Sequence, residues 1–207
     1  MKVGDIKVEA IKLMFANYAF DLGVDDLQNM ASDENYGSYI VNMNGSISRA
    51  LDRIENACVM PVVREELANY SMRKNNHHMR VDLTQIKDLF MIDRIIAEYD
   101  NGEYDGNVSY ALEGDILILP NVKNVNYILL YYPTIKTIDD SVSDHDLMWI
   151  PDRLARLIPY FVKSELFQEE EPSLAAEARN LFEASLDDLK RKTQSKQNFI
   201  TKTYRMY

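Results

Sequence analysis

Residues 99–120 read YDNGEYDGNVSYALEGDILILP, and this stretch decides the predicted fold. Three turn-forming groups, Asp100-Asn101-Gly102, Asp105-Gly106-Asn107 and Glu113-Gly114-Asp115, divide it into short apolar segments. Closely spaced strands joined by tight turns pair antiparallel, because a parallel crossover needs a dozen or more residues. The stretch therefore predicts the middle of an antiparallel β-meander that covers residues 90–132.

On both sides of the meander, apolar residues recur every three or four positions, which is typical of amphipathic helices. Before it, the pattern predicts helices within residues 5–61, with Asp5 as the N-cap of the first. We expect a kink or two abutting helices at Asn44-Gly45-Ser46 in the second, because glycine is unfavourable inside a helix and serine is a good N-cap. After the meander, the pattern predicts helices within residues 146–192, with a bend at Pro159.

These patterns predict an α+β protein, mainly a helical bundle with an inserted antiparallel β-meander and an extended C-terminal arm. We expect one domain over residues 1–192, with the β insertion at about residues 80–135, and the arm over residues 193–207. Residues 70–80 are polar and unpatterned, and we expect a loop there. A chain of 207 residues can bury roughly 70% of its unfolded surface, so its fold needs neither a disulfide nor a metal.

The composition limits the classes of function. The chain has 33 acidic and 23 basic side chains, a net charge of -10, whereas affinity for nucleic acid depends on Lys and Arg. We therefore expect no specific binding of DNA. No apolar run approaches the ~20 residues that span a bilayer, so we expect no membrane association. The one cysteine, Cys58, excludes an internal disulfide, and we expect it to be buried on the apolar face of its helix.

The sequence contains no pattern typical of an active site. Adjacent histidines point in different directions, so we interpret His77-His78 as part of a solvated loop rather than as a metal site. The acidic residues between 139 and 146 lack the central glycine of a calcium loop, and we interpret them as the capped start of a helix. With no phosphate-binding glycine loop and no nucleophile elbow, we expect no catalytic residue, no cofactor, no metal and no enzymatic activity.

The last fifteen residues, TQSKQNFITKTYRMY, differ from the rest of the chain. They contain three basic residues and no acidic one, interleaved with aromatic and aliphatic side chains. Aromatic residues and arginine dominate binding energy at protein interfaces, and positive charge steers an arm to an acidic surface. A frayed terminus is the alternative interpretation. We interpret the segment as a docking arm whose contact residues are Phe199, Ile200, Tyr204, Arg205 and Tyr207.

Three stretches set the order of elements along the chain. They are YGSYIVNMNGSISRALDRIENACVMP at 36–61, the quoted residues 99–120, and WIPDRLARLIPYFVKSELFQEEEPSLAAEARNLFEASLDDLKR at 149–191. In this order the chain resembles the head-to-tail connector (adaptor) proteins of tailed bacteriophages and prophages of Gram-positive hosts. The resemblance implies a structural protein that forms a ring, commonly of twelve copies, beneath the portal at the capsid vertex.

The resemblance further implies that the C-terminal arm docks on the portal protein and that the other face of the ring receives the tail or a stopper or tail-completion protein. Such a protein is found in the neck of the virion, and in the host cytoplasm during assembly. The acidic ring is expected to be a conduit through which genome DNA passes without specific binding.

Two other functions remain open. The first is a neck stopper or tail-completion protein, a class that is usually richer in β structure and lacks two long C-terminal helices. The second is an acidic regulatory binding module that mimics nucleic acid, which requires ordered surface carboxylates at phosphate-like spacing.

Overall fold

A computed structural model gives the fold of the protein. It describes residues 1–15, 22–74, 77–139 and 141–203, with the backbone alone at 72–74 and 194–203. The fold is α+β, as predicted. The chain divides into two compact units, a helical unit made of Met1–Val59 and Ile135–Thr193 and a β unit containing Met60–Thr134. The β unit therefore interrupts the helical unit in sequence.

The helices follow the predicted apolar periodicity. Their bounds are α1 Val3–Met14, α2 Leu27–Met30, α3 Gly37–Asn56, α4 Asp152–Ala155, α5 Ile158–Leu166 and α6 Pro172–Thr203. Within the helical unit, α5 packs against both α1 and α3. Edge-to-face rings at the end of α1, the start of α3 and the end of α5 add to this packing, with Phe15 centred 5.3 Å from Tyr39 and 5.6 Å from Phe167.

α3 is one uninterrupted helix, so the alternative of two abutting helices at Asn44-Gly45-Ser46 is wrong, and the kink stays a prediction. A glycine inside a helix costs about 1 kcal/mol relative to alanine. Burial of a single leucine or isoleucine side chain contributes about 1.5–3 kcal/mol. Met43, Ile47 and Leu51 on one face of α3 are each fully buried, and their packing outweighs the local preference of Gly45.

Two helix starts differ from the predictions. α1 begins at Val3, and Asp5 lies within its first turn, where its carboxylate accepts a hydrogen bond from the Lys2 N–H at 2.7 Å. The C-terminal helices begin at Asp152 rather than at residue 146. The residues before Asp152 form turns, because backbone groups of residues 144–148 form hydrogen bonds with Met1 and with the first turn of α1.

These contacts join the two halves of the helical unit. The N–H groups of Val3 and Gly4 donate to the carbonyls of Asp146 and Asp144 at 3.0 and 2.8 Å. The buried Lys7 places its Nζ 2.7 Å from the Asp144 carboxylate. An added Cβ at Gly4 would lie 2.8 Å from the Asp144 carbonyl oxygen, so this approach of the two segments requires glycine.

The chain re-enters the helical unit against α3. Glu55 accepts a hydrogen bond from the Ile135 N–H at 2.5 Å. Ser48 accepts one from the Ile138 N–H at 3.0 Å and donates one to the Ile138 carbonyl at 2.8 Å. Polar side chains of α3 thus satisfy the backbone of a segment that no helix or sheet pairs.

The other two helix predictions have different outcomes. The bend predicted at Pro159 is instead a break just before it, since α4 ends at Ala155 and α5 begins at Ile158, with Pro159 in its first turn. Toward the C-terminus, α6 continues to Thr203 instead of giving way to an extended arm at residue 193. Residues 193–203 contain neither proline nor glycine, so the sequence supplies no strong helix breaker there.

In the part of the chain that the structure describes, the β unit has two four-stranded antiparallel sheets. The strands are β1 Val63–Glu66, β2 Ser71–Lys74, β3 His78–Asp82, β4 Leu89–Tyr99, β5 Tyr104–Asp105, β6 Ala111–Glu113, β7 Ile116–Pro120 and β8 Val125–Pro133. One sheet has the order β1-β8-β4-β5 and the other the order β2-β3-β7-β6. Buried apolar side chains of both sheets, among them Val81, Ile95, Leu117 and Leu129, form a common core.

The sheets correct the predicted meander. The hairpin of β6 and β7 is confirmed, but β4 pairs along its length with β8, so the predicted strands are divided between two sheets instead of forming one meander. The strands also begin at Val63 rather than at about residue 80. Residues 70–80, expected to form a loop, contribute to β2 and β3, where Met79 and Val81 alternate into the core.

Alanine substitutions at Gly45 and Gly114 are expected to change stability in opposite directions. In α3, alanine at 45 gains about 0.5–1 kcal/mol, and its Cβ would meet only the end of the Arg49 side chain, at 3.4 Å. Gly114 has a φ of +60°, and no described atom lies within 4 Å of an added Cβ, so alanine there costs about 1–2 kcal/mol through the backbone alone. Urea unfolding measures both, and stabilisation by Gly114→Ala would contradict the hairpin geometry.

Candidate docking site

The predicted docking residues lie at the end of the chain. Phe199 and Ile200 belong to the helical backbone of α6, but their side chains lie outside the described residues. Tyr204, Arg205 and Tyr207 lie outside the described residues altogether. The docking role of these five side chains stays a prediction, and the structure describes the part of α6 that precedes them.

An aromatic contact anchors α6 in the helical unit. The fully buried Phe182 meets Phe161 of α5 edge to face, with ring centroids 5.0 Å apart. The guanidinium carbon of Arg179 lies 4.1 Å from the centroid of the same Phe161 ring. Such a stack combines apolar burial with a cation–π attraction, and it fixes which face of α6 is turned toward α5.

Ion pairs with α3 and α5 also set the orientation of α6. Glu165 of α5 lies 2.7 Å from Arg49 of α3 and 3.8 Å from Arg179 of α6. Arg53 of α3 donates two hydrogen bonds to the Glu183 carboxylate, at 3.0 and 2.7 Å. Hydrogen bonding to Glu165 and Glu183 raises the pKa of Arg49 and of Arg53. The pairs are half exposed and each contributes little stability, but together they define the rotation of the helix.

The helix rotation leaves part of the predicted apolar stripe of α6 in solvent. Leu174, Ala178, Leu181 and Phe182 recur at helical spacing, which predicts one buried face, yet Leu174 is 41% and Leu181 is 49% exposed. At 3.6 residues per turn, these two leucines lie about a quarter turn from the centre of the buried face.

A groove lies beside these exposed leucines, within the helical unit. It has a volume of about 360 Å³ and lies between α4 and α6. Leu157, Leu181 and Leu189 form its apolar lining, and Arg153 and Asp188 add one charge of each sign. We call this surface, defined by these five residues, the α6 groove. It is shallow and open, and its lining is mostly apolar.

A second exposed apolar surface precedes α4. Leu147 is 71% and Trp149 is 37% exposed, and the neighbouring Met148 and Ile150 are buried. Exposed and buried side chains alternate in this short segment, so Met148 and Ile150 pack into the protein while Leu147 and Trp149 face solvent. The Met148 N–H donates to the Met1 carbonyl at 3.0 Å, so the segment lies beside α1. We call Leu147 and Trp149 the α1-side patch.

The residues considered as metal ligands have local roles. His78 is the first residue of β3 and His77 precedes it, so these residues lie at a strand end rather than in a loop. Asp139 accepts a hydrogen bond from the Ser141 N–H at 2.9 Å, which together with the Ser141 hydroxyl lowers the pKa of Asp139. Among the described residues no three His, Cys, Asp or Glu side chains are arranged to hold a metal ion.

The interpretation of the acidic residues between 139 and 146 as a helix cap is wrong. Asp139 and Asp146 instead close turns, since Asp146 accepts from the Ser143 N–H at 2.9 Å. Aspartate readily bonds to a nearby backbone N–H in this way, and such turns compete with helix formation. The carboxylates thus help to keep this segment out of the helix that begins at Asp152.

Cys58 is not on the helix face where it was expected. It follows the end of α3 and is half-buried, with a left-handed φ of +53°. Its N–H donates to the Glu55 carbonyl at 2.9 Å, which is typical of the residue that ends a helix.

Comparison with known proteins gives no further assignment. No protein-family model matches the chain, and no relative is found among curated proteins. Within the described ranges, no helix is both long and apolar enough to cross a membrane. We therefore infer the function from the fold, the charge and the surfaces of α6.

Adjacent substitutions in α6 test the assignment of its buried face. Phe182→Ala is expected to reduce the free energy of unfolding by about 3–5 kcal/mol, because Phe182 is fully buried against Phe161. Leu181→Ala should change it by less than about 1 kcal/mol, since Leu181 is half exposed. Denaturant unfolding of the two variants measures both effects. Similar losses from the two substitutions would contradict the described rotation of α6.

Proposed function

We propose that this chain is a head-to-tail connector subunit, which forms a ring that joins the portal to the tail in the neck of a virion. The observation that carries the proposal is the order of elements. A helical unit is interrupted by a β unit, and a C-terminal helix of 32 residues leads to a basic, aromatic end. These elements occupy the stretches in which the sequence resembles the connector proteins of tailed bacteriophages.

The charge of the chain supports a role in handling DNA without binding it. A net charge of -10 per copy becomes a strong negative field when copies are arranged around one axis. Phosphates are repelled by such a wall, and the bore of the ring constrains the path of the duplex. The proposed partners are other copies of this chain, the portal protein and the tail or stopper protein. No cofactor and no catalytic step belong to this function.

The helical backbone of α6 refines the proposed contact with the portal. Because α6 continues to Thr203, residues 199 and 200 are presented from a helix instead of from an extended strand. An amphipathic helix is recognised by a groove that receives side chains three or four positions apart. Phe199 and Ile200, together with Tyr204, Arg205 and Tyr207, are therefore proposed to enter a groove on the portal, with Arg205 near acidic groups.

A neck stopper or tail-completion protein is the second candidate. The observation in its favour is the β unit, which is larger than the sequence predicted and has two sheets among the described residues. The long helix α6 weighs against it, because stopper proteins usually lack long C-terminal helices. The two candidates differ in their direct partner: a connector binds the portal itself, whereas a stopper binds the assembled connector ring.

The docking prediction is tested by substitution within the last fifteen residues. A variant with Phe199, Tyr204, Arg205 and Tyr207 replaced by alanine should bind the portal encoded in the same genome at least about tenfold more weakly. These changes are expected to leave the thermal unfolding of the protein unchanged. The matched control replaces Ser195, Gln197 and Asn198 by alanine and should bind as the wild type does. Interferometry with immobilised portal measures all three affinities.

Equal binding by the docking variant and the control would overturn the docking assignment. Absence of portal binding by the wild-type chain, together with binding to a preformed portal–connector complex, would instead favour the stopper. Capture of a host nucleic-acid enzyme by the wild-type chain, in the absence of any neck protein, would favour the acidic mimic.

A further inference from the structure

Two Asn-Gly dipeptides occur in the chain, at Asn44-Gly45 and at Asn101-Gly102. In such a pair the backbone nitrogen of the glycine can attack the side-chain amide carbon of the asparagine, because glycine has no side chain to hinder the approach. This reaction within the chain is slow where the backbone is rigid and faster where the backbone can rotate. The structure places the two dipeptides in different surroundings, so we expect them to react at different rates.

Asn101-Gly102 lies in the turn between β4 and β5. Both residues are exposed, and Gly102 has a left-handed φ of +82° with no described atom within 4 Å of an added Cβ. The side-chain oxygen of Asn101 accepts a hydrogen bond from the Glu103 N–H at 3.1 Å. This bond folds the Asn101 side chain back along its own backbone, toward the peptide whose nitrogen must attack it.

The hydrogen bonds that close this turn lie at the edge of a sheet. The Gly102 N–H donates to the Tyr99 carbonyl at 2.9 Å, and the Tyr99 N–H donates to the Glu103 carbonyl at 2.9 Å. The adjoining strand β5 has only two residues, both exposed, and it is the outer strand of its sheet. Short edge elements open locally at a small fraction of the free energy of global unfolding. Such an opening releases the Gly102 nitrogen while the rest of the β unit stays folded.

Asn44-Gly45 lies in the interior of α3. Closure of the ring requires backbone angles that an α-helix does not adopt, so this part of α3 must open before Asn44 can react. The flanking Met43 and Ile47 are fully buried, and the side-chain oxygen of Asn44 is itself shielded from solvent. Opening of a packed helix interior costs much more free energy than opening of an edge hairpin. The fold therefore protects Asn44.

We infer that Asn101 is a site of spontaneous deamidation in the folded protein, and that α3 protects Asn44 from the same reaction. The Gly102 nitrogen loses its proton and forms a bond to the Asn101 Cγ. The bond from Cγ to the side-chain nitrogen breaks, this nitrogen takes up a proton, and ammonia leaves behind a cyclic succinimide. Water then adds to one of the two ring carbonyls and opens the ring, so position 101 becomes either aspartate or isoaspartate.

The modification changes both the charge and the backbone of the turn. It adds a negative charge beside the exposed Asp100 and Glu103. Isoaspartate also lengthens the main chain by one methylene group, which shifts Glu103 relative to Tyr99 and breaks their hydrogen bond. The pairing of Glu98 with Tyr104 is then expected to be lost from the sheet edge. The inference goes beyond the proposed function, and it holds whether or not the chain forms a ring.

Ageing of the full chain tests the inference, with Asn44 as the internal control. Native chain and chain unfolded in guanidinium chloride are incubated side by side, and tandem mass spectrometry of proteolytic peptides locates each deamidation. In the native chain Asn44 should react at least about tenfold more slowly than Asn101, because its local opening costs more free energy. In the unfolded chain the two should react at similar rates. The product at Asn101 should contain both isoaspartate and aspartate, which identifies the succinimide route.

Substitution gives an independent readout on ion exchange, where the aged native chain should show an acidic species. Asn101→Gln should remove this species, because ring closure onto the longer glutamine side chain is much slower. The matched control is Asn107→Gln, since Asn107 is also exposed but is followed by the β-branched Val108. This control should form the acidic species at the wild-type rate. Circular dichroism checks that each variant is folded.

Three results would overturn the inference. They are an unmodified Asn101 in the aged native chain, equal rates at Asn44 and Asn101 in that chain, and formation of the acidic species by Asn101→Gln at the wild-type rate. Isomerisation at Asp105-Gly106 does not disturb these readouts, because it releases no ammonia and leaves the mass and the charge unchanged.

Discussion

The helical unit depends on contacts between its two halves, which the β unit separates in sequence. The chain leaves the helical unit after Val59 and returns at Ile135. The two halves of the unit are therefore held together by contacts between residues that are distant in sequence. The first turn of α1 binds the backbone at Asp144 and Asp146, and α3 holds the returning segment. Loop-closure entropy grows only slowly with loop length, so a well-folded insertion of this size is compatible with such a unit.

These contacts also determine which apolar side chains of α6 and of the segment before α4 are exposed. Residues 144–148 are hydrogen-bonded to the first residues of the chain. Exposed and buried side chains alternate over residues 147–150, so Leu147 and Trp149 face solvent. Because Phe182 is held against Phe161, the side of α6 that carries Leu181 remains uncovered. The same contacts that stabilise the unit therefore leave Leu147, Trp149 and Leu181 exposed to solvent.

Sequence patterns predicted the elements with strong local signals. The apolar periodicity of α3 and the Glu113-Gly114-Asp115 turn of the β6–β7 hairpin are both confirmed. Features set by distant contacts were not predictable in this way. The pairing of β4 with β8 joins strands that local spacing cannot relate, and β2 and β3 lie in a polar segment whose burial depends on β7. Burial along α3 likewise overrides the local preference of Gly45.

We propose a ring of this chain between portal and tail. Electron cryo-microscopy of the portal mixed with the full chain tests it most directly, because averaged particles show both the symmetry and the subunit contacts. We expect a closed ring of copies coaxial with the portal. Portal particles that carry no added ring at saturating concentrations of the chain would contradict it.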